Sequence, residues 1–263
     1  MTAETDTILV RREGAVTVLT LNRPERLNAV SLRLYERLIE ELARADADRE
    51  TRCVILTGSG RAFCVGADLK AHGETPLSDA DRDRYTRSAQ EANYRIQSMG
   101  TPVVAAVNGH AIGAGLELAL SADFMIVSEL AKLRLPEISL GTFIGGGVVY
   151  TLAERVGVLK AREIVYMGDF FLGSEAAEMG LANAAVSTDD VMPVAQKWAD
   201  RLAEKAPLSL AAAKRLIGPA GTMSRDEALE LERTELVKIF GSADWKEGVD
   251  AFHEKRPPRY VGE

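Results

Sequence analysis

Two glutamates stand beside glycine-rich turns and could carry proton chemistry. Glu117 closes the segment Gly113-Ala114-Gly115-Leu116-Glu117, and Glu137 follows Pro136 in a second apolar segment. Two carboxyl groups that face one substrate can act as acid and base, because burial and mutual repulsion separate their pKa values. Taken singly, Glu117 fits equally well on an exposed stripe of a helix, and Glu137 is more typical of a surface turn. The pair therefore predicts proton transfer only if the fold brings the two together.

Two turns could supply backbone donors to the same place. The first is Gly109 to Gly115, where N–H groups at a helix start lack partners within the helix. The second is Arg61 to Lys70, which could offer the N–H of Ala67 or Asp68. Two such donors would stabilise negative charge on a carbonyl oxygen. Each turn alone is also typical of a tight connection, and the glycine spacing fits neither a dinucleotide fingerprint nor a P-loop.

Strands and helices alternate through the part of the chain that must position these groups. β-branched and apolar runs predict a hairpin, buried strands and amphipathic helices between them. The predicted strands are 7–12, 15–21, 53–57, 102–107 and 124–127, and the predicted helices are 31–45, 78–98, 116–120 and 148–155. Beyond about residue 190 only helices are predicted, at 191–204, 208–217, 224–240 and 243–255. This order indicates an α/β body followed by a helical region.

Composition and charge exclude several classes of protein. With 263 residues, 46% of them hydrophobic, the chain can bury a large core. A net charge of −7 argues against binding to nucleic acid or an anionic membrane. The two cysteines, Cys53 and Cys64, form no metal or disulfide pattern, and His72, His110 and His253 lack metal-ligand spacing, so we expect no metal site. The acidic start of the chain resembles no signal peptide, and we expect a cytoplasmic protein.

Several ordered motifs together resemble one known family. They are Phe63-Cys64-Val65-Gly66-Ala67-Asp68-Leu69-Lys70, Pro102-Val103-Val104-Ala105-Ala106-Val107-Asn108-Gly109, Gly113-Ala114-Gly115-Leu116-Glu117-Leu118-Ala119 and Leu135-Pro136-Glu137-Ile138-Ser139-Leu140-Gly141. The segments Leu21 to Pro24 and Lys246 to Arg256 extend the similarity. In this order the motifs closely resemble the enoyl-CoA hydratase/isomerase, or crotonase, family over nearly the whole chain.

The resemblance implies a fold and an assembly. It implies an α/β spiral of strand–strand–helix repeats, which we expect over residues 1–195. A helical region, expected over residues 196–263, would build homotrimers that commonly pair into hexamers. The implied partner is an acyl-CoA thioester substrate, so that coenzyme A enters as part of the substrate and no separate cofactor is expected.

The resemblance also assigns roles to residues by matching position. Ala67 and Ala114 would supply the two N–H groups of an oxyanion hole, while Glu117 would deprotonate water and Glu137 would protonate the α-carbon. Phe143 and Gly145 would shape the acyl pocket. The residues expected to bind the coenzyme are Ala62, Cys64, Gly66, Ala67, Asp68, Leu69, Lys70, Gly113, Ala114, Phe252 and Lys255.

Both glutamates together favour hydration of an enoyl-CoA, because family isomerases commonly keep only one. An isomerase that uses Glu137 alone is the alternative, followed by other acyl-CoA-processing members and by a non-enzymatic RNA-binding member. Two departures bear on the pocket: the segment 142–145 replaces a proline–glycine turn, and Leu135 stands where some hydratases have a polar residue. Ala114 also replaces a frequent glycine, which keeps the N–H.

Overall fold

Two β-sheets organise the part of the chain described by the computed structural model, which covers residues 6–68, 78–218 and 223–263. Strands β1, β2, β3, β5, β7 and β10 form a six-stranded sheet in that order, and β4, β6, β8 and β9 form a four-stranded sheet. The strands are β1 Ile8–Glu13, β2 Val16–Leu21, β3 Cys53–Gly58, β4 Ala62–Cys64, β5 Val103–Val107, β6 His110–Ile112, β7 Phe124–Ser128, β8 Lys132–Arg134, β9 Phe171–Leu172 and β10 Ala184–Val186.

Helices cover both sheets. Within the described residues they are α1 Leu32–Ala47, α2 Asp79–Ser98, α3 Ala114–Ser121, α4 Val148–Met167, α5 Gly173–Glu178, α6 Val191–Ala203, α7 Pro207–Ile217, α8 Arg225–Phe240 and α9 Ala243–Glu254. In the large sheet, β1 and β2 are antiparallel and the remaining neighbours are parallel. The alternation of strands and helices predicted from the sequence is therefore confirmed.

The large sheet is covered on both faces, which explains its continuous apolar strands. On one face, Val191, Ala195 and Ala199 of α6 pack on residues of β2, β3, β5 and β7. On the other face, α1 to α4 enclose the main hydrophobic core. Every residue of β3 and of β5 is buried.

The small sheet brings the candidate site together. Strands β3, β5 and β7 of the large sheet each lead, after a short turn, into β4, β6 and β8 of the small sheet. These three short strands are parallel neighbours. Their carboxyl ends therefore lie at one edge, where the turns carrying Ala67, Ala114 and Glu137 begin.

Two features of the fold differ from the sequence-based expectation, and one expected boundary, which stays a prediction, falls within a helix. The small sheet was not predicted, because its strands contain only two or three residues each. The helix expected to end near Arg155 continues to Met167 across Gly157, whose backbone (φ 76°, ψ 158°) interrupts the helix. The expected boundary between residues 195 and 196 falls inside α6, whose Ala195 and Ala199 are both buried.

Across residues 6–68, 78–218 and 223–263, no helix combines the length and apolar character that crossing a bilayer requires.

Candidate active site

Glu117 lies in the first turn of α3 and is almost completely buried. Only 5% of its surface is exposed, and its flanking residues Leu116 and Leu118 are fully buried. The helix begins immediately after Gly113, whose carbonyl accepts the N–H of Glu117 at 3.0 Å. An apolar helix thus carries one carboxyl group inward, where it must find donors or be protonated.

Two backbone amides contact the Glu117 carboxyl group. The N–H of Gly146 donates to its Oε2, and the N–H of Gly145 also bonds to it. Burial is nevertheless the largest influence and raises the pKa of Glu117 to about 7; the charge of Glu137 raises it as well, while the two amides lower it. A carboxyl group that titrates near neutrality can take up a proton and release it again during a reaction.

Glu137 begins the short 3₁₀ turn Ile138–Leu140 after β8. It is 9% exposed, and its Oε2 has no hydrogen-bond partner among the described residues. Burial raises the pKa of Glu137, whereas its own backbone N–H and the charge of Arg134 lower it. A buried carboxyl oxygen without a partner is costly, and protonation or a bound ligand would relieve that cost.

Both glutamates lie close to the start of α3. A Cβ atom added to Gly113 would lie 2.7 Å from Oε1 of Glu137, so a side chain there would displace that carboxyl group. Gly113 also has φ 54° and ψ −126°, a conformation that side chains rarely adopt, and its N–H donates to the carbonyl of Arg134 at 2.8 Å. The pairing of Glu117 with Glu137 expected from the sequence is present in the fold.

The two expected oxyanion donors also lie together. A Cβ atom at Gly66 would be 2.8 Å from the carbonyl oxygen of Ile112 and 3.6 Å from the backbone N of Ala114. The turn that carries Ala67 therefore packs directly on the start of α3. Ala114 is the first residue of that helix, so its N–H has no acceptor within the helix.

Of the two N–H groups considered in the Ala67 turn, the one of Asp68 is already used by a bond within the described residues. Ala67 forms an isolated bridge with Val30, in which the N–H of Val30 donates to the Gly66 carbonyl at 2.8 Å. The N–H of Asp68 donates to the Val30 carbonyl at 3.1 Å. Since neither bond uses the N–H of Ala67, the geometry favours Ala67 over Asp68 as the donor.

The other residues expected to contact coenzyme fall into three groups. Ala62 and Cys64 are fully buried in β4, and burial raises the pKa of the Cys64 thiol to about 12. Asp68 is also buried, with its carboxylate 2.9 Å from the Arg23 guanidinium. Leu69 and Lys70 lie outside the described residues.

Phe252 and Lys255 lie on the C-terminal helices. Phe252 is on α9 and is 81% exposed. With Trp245 and Tyr260 it lines a cavity of about 570 Å³. Lys255 caps α9 with φ 54°. Neither residue belongs to the elements that carry the two glutamates, whereas Gly145 does contact Glu117. Phe143, in the segment before Gly145, is 67% exposed.

Several residues at the site were missed by sequence reasoning. Gly146 donates to Glu117, Asn93 is buried beside Gly146, and the Arg134 side chain lies near Glu137. Arg134 donates to the Gly168 carbonyl and its guanidinium lies 4.9 Å from the centre of the Phe170 ring. For Asn93 there was a signal: it shares a helical face with Ala92 and Ile96, which are both buried.

No metal centre is formed by the part of the chain that the structure describes, because it contains no group of three His, Cys, Asp or Glu side chains arranged to hold an ion. The polar groups that the described site brings together are two carboxyl groups and backbone amides.

Fold and site together define an α/β spiral protein with two buried carboxyl groups beside a pair of amide-bearing turns. The sequence profile of the enoyl-CoA hydratase/isomerase family matches residues 11–263. The chain belongs to this family, as the motifs of the sequence predicted.

Named relatives agree over nearly the full length. The chain is 35% identical to the 2,3-dehydroadipyl-CoA hydratase of Escherichia coli over 255 residues, which cover 97% of this chain and 98% of that protein. It is 33% identical over 253 residues to enoyl-CoA hydratase EchA19 of Mycobacterium tuberculosis, covering 96% and 95%. The crystal structure of an enoyl-CoA hydratase from Bacillus anthracis superposes with a TM-score of 0.93 at 33% identity, covering 98% of this chain and 100% of that one.

Proposed function

We propose that the protein is an enoyl-CoA hydratase, which adds water across the conjugated double bond of an enoyl-CoA thioester. One observation carries the proposal: two buried glutamates flank the start of α3, one held by amides and the other with an oxygen that lacks a partner among the described residues. Hydration needs a base for water, an acid for the α-carbon and donors for the thioester oxygen, and these groups match that need.

The proposed reaction begins with charge stabilisation at the carbonyl. The thioester oxygen accepts hydrogen bonds from the N–H groups of Ala67 and Ala114, so that electron density can move onto it as an enolate forms. Ionised Glu117 takes a proton from water while the oxygen of that water bonds to the β-carbon. Protonated Glu137 then donates its proton to the α-carbon, and the carbonyl re-forms. Glu117 gains one proton and Glu137 loses one, so exchange with solvent or between them restores the starting state.

The test compares the parent protein with single amide substitutions. Purified protein is incubated with short, medium and aryl enoyl-CoA thioesters, and the loss of the conjugated absorbance is followed. We expect hydration by the parent and a loss of at least about a hundredfold in kcat for Glu117→Gln and for Glu137→Gln. Glu129→Gln, which changes an exposed glutamate away from the site, is the matched control.

Two results would change the assignment. If the parent hydrates no thioester in the panel, the proposed function is wrong. If the parent instead converts 3-enoyl thioesters to conjugated ones, and Glu117→Gln keeps that activity while Glu137→Gln loses it, the protein is a double-bond isomerase in which Glu137 alone moves the proton.

Assembly into trimers or paired trimers is part of the proposal. Helix α8 buries none of its residues within the single chain, and five of its apolar side chains are exposed: Leu229, Leu231, Leu236, Val237 and Phe240. Such a surface supports contact with another copy. Phe252 and Lys255, beyond α8, would then cover the coenzyme of a neighbouring subunit. We further propose a cytoplasmic location and no cofactor beyond the coenzyme A of the substrate.

A further inference from the structure

Helix α2 is mostly exposed, yet it buries one polar side chain beside Glu117. Asn93 is 1% exposed and lies between the buried residues Ala92 and Ile96. A buried amide is costly unless its donors and acceptor are bonded. Leucine, of similar size, would fill this position at lower cost, so the presence of asparagine calls for an explanation at the site.

The bonds of Asn93 connect α2 to α3. Its Nδ2 donates to the Ala89 carbonyl at 2.9 Å, which fixes the orientation of the amide because a carbonyl oxygen only accepts. Its Oδ1 accepts from the Ser121 hydroxyl at 2.7 Å. That hydroxyl is 3.0 Å from the carbonyl of Glu117 and accepts from Nε2 of Gln97 at 3.2 Å. The Ser121 hydroxyl, whose one hydrogen faces these two acceptors, therefore links α2 to the turn of α3 that carries Glu117.

Asn93 also reaches the side-chain end of Glu117. A Cβ atom at Gly146 would lie 2.5 Å from Nδ2 of Asn93 and would also overlap Oε2 of Glu117. The amide of Asn93 and the carboxyl group thus pack against the same side of Gly146, the residue whose N–H donates to that carboxyl group. The second N–H of Nδ2 is not used by the bond to Ala89.

We propose that Asn93 is a positioning residue for Glu117: together with Ser121 it fixes the carboxyl group and the Gly146 amide in the orientation that water attack requires. The proposal rests on the hydratase function proposed above. In this role Asn93 acts through Glu117 and not on the substrate. The same arrangement explains the glycine at position 146, because a side chain there would overlap both the Asn93 amide group and the Glu117 carboxyl group.

Other ionisable groups also face Glu117 and must be kept constant in a test. Glu137 approaches from the turn after β8, and its charge raises the pKa of Glu117. Tyr35 of α1 and Tyr85 of α2 form an edge-to-face pair with ring centres 5.6 Å apart, and the charge of Glu117 is among the influences that raise the pKa of each hydroxyl, after burial. Variants at positions 93 and 121 leave all three side chains in place.

The experiment uses the full-length protein and four variants, with Glu117→Gln as a fifth for the NMR assignment. Asn93→Leu removes the amide, Ser121→Ala removes the bonded hydroxyl, and a third variant combines them. Gln90→Leu makes the same type of change on an exposed position of α2 and is the control. Steady-state hydration is measured from pH 5 to 9 with one enoyl-CoA thioester, and the titration of the Glu117 carboxyl carbon is followed by ¹³C NMR after assignment with Glu117→Gln.

We expect a change in kcat and not in KM. Asn93→Leu should lower kcat by about ten- to a hundredfold, because a small misplacement of a catalytic group has effects of that order. KM should change less than about twofold, since the amides that hold the thioester are untouched. Ser121→Ala should lower kcat less, and the double variant should resemble Asn93→Leu, because the effects of residues in one network are not additive.

The pH dependence should change as well. In Asn93→Leu, which removes a polar neighbour of Glu117, the acidic limb of the kcat–pH profile and the midpoint of the Glu117 titration should move to higher pH. In Gln90→Leu both should stay in place.

Two outcomes separate this proposal from the proposed function. The first outcome is an active parent in which Asn93→Leu lowers only the melting temperature, while kcat, the pH profile of hydration and the NMR titration of Glu117 stay unchanged. In that case Asn93 is a packing residue and the proposal is overturned. If the parent hydrates no thioester, the hydratase assignment fails, and the NMR titration alone decides: a shifted Glu117 midpoint in Asn93→Leu and in Ser121→Ala supports the positioning role, and an unshifted one overturns it. Should Asn93→Leu fail to fold, Ser121→Ala gives the same decision.

Discussion

At the scale of single residues, burial dominates the ionisation of Glu117. Two backbone amides favour its charged form, yet its pKa still rises to about 7 because the surrounding helix and core remove water from the carboxyl group. A stronger base at neutral pH is useful for activating water, but the same burial makes the charged group a cost to folding. This conflict gives a measurable consequence.

We predict that Glu117→Gln stabilises the protein in a pH-dependent way. In the folded protein the pKa of Glu117 is about 7, against a usual value of 4.5. The contribution of this group to the free energy of unfolding therefore falls as the pH rises from about 4.5 to about 7. Glutamine does not titrate. The gain of the variant over the parent should therefore be small at pH 4.5 and reach about 3 kcal/mol above pH 7. Urea unfolding at pH 5 and pH 8, at equal protein concentration, measures it. A gain that is the same at both pH values, or one shared by Glu129→Gln, would contradict the prediction.

Arg134 provides a second prediction at this scale. Its positive charge lowers the pKa of Glu137, while burial raises it, so Arg134→Met should raise that pKa. If Glu137 acts as the proton donor, hydration is lost as the pH rises through its pKa, and the basic limb of kcat should therefore move to higher pH in the variant. Lys132→Met is the matched control, because Lys132 is on the same strand and lies 5.9 Å from the centre of the same Phe170 ring. A basic limb that moves equally in both variants, or in neither, counts against a role for Arg134.

At the scale of elements, the sequence predicted those helices and strands that are long enough to show a regular pattern of apolar residues. The hairpin, α1 and the buried strands β3, β5 and β7 agree with the expectation within a few residues. Strands β4 and β6 lie in segments predicted as turns, and no element was predicted at β8, because three residues show no periodicity. The approach of Glu137 to Gly113 was also beyond the sequence, since it depends on how two of these short strands align.

Gly113 shows how an element boundary controls the site, and it gives the third prediction. Gly113→Ala would place a Cβ atom 2.7 Å from Oε1 of Glu137, in a backbone conformation of φ 54° and ψ −126°. We expect a loss of stability of about 1–3 kcal/mol from the strained backbone and a fall in kcat of about a hundredfold from the displaced carboxyl group. Melting temperature and kcat are measured together. Gly14→Ala is the control: its φ is 59° and nothing lies within 4 Å, so it should lose stability without losing activity.

At the scale of the whole molecule, the C-terminal helices are attached to the body unequally. Lys214 of α7 inserts between core elements, with its Nζ 2.7 Å from Asp123 and 2.8 Å from the carbonyl of Ile96. Helix α6 is buried on the large sheet. Helix α8 has no buried residue and contacts mainly α7 and α9. The described part of the chain thus leaves the exposed apolar side chains of α8 without a cover, at the end where the family resemblance implies contact between subunits.

The fourth prediction concerns that uncovered helix. Leu236 and Val237 are 49% and 59% exposed, and an apolar surface of this kind is costly in water unless another copy covers it. We expect the parent to sediment as three or six copies, and the double variant Leu236→Glu, Val237→Glu to dissociate toward single chains, because charges would be buried in the contact. Analytical ultracentrifugation measures the assembly, and Gln90→Glu on α2 controls for added charge.

If Phe252 and Lys255 contact the coenzyme bound to a neighbouring subunit, dissociation should also raise KM for the thioester more than it lowers kcat. A parent that sediments as a single chain would contradict the assembly while leaving the carboxyl chemistry untouched, since both glutamates and both amide-bearing turns belong to one chain.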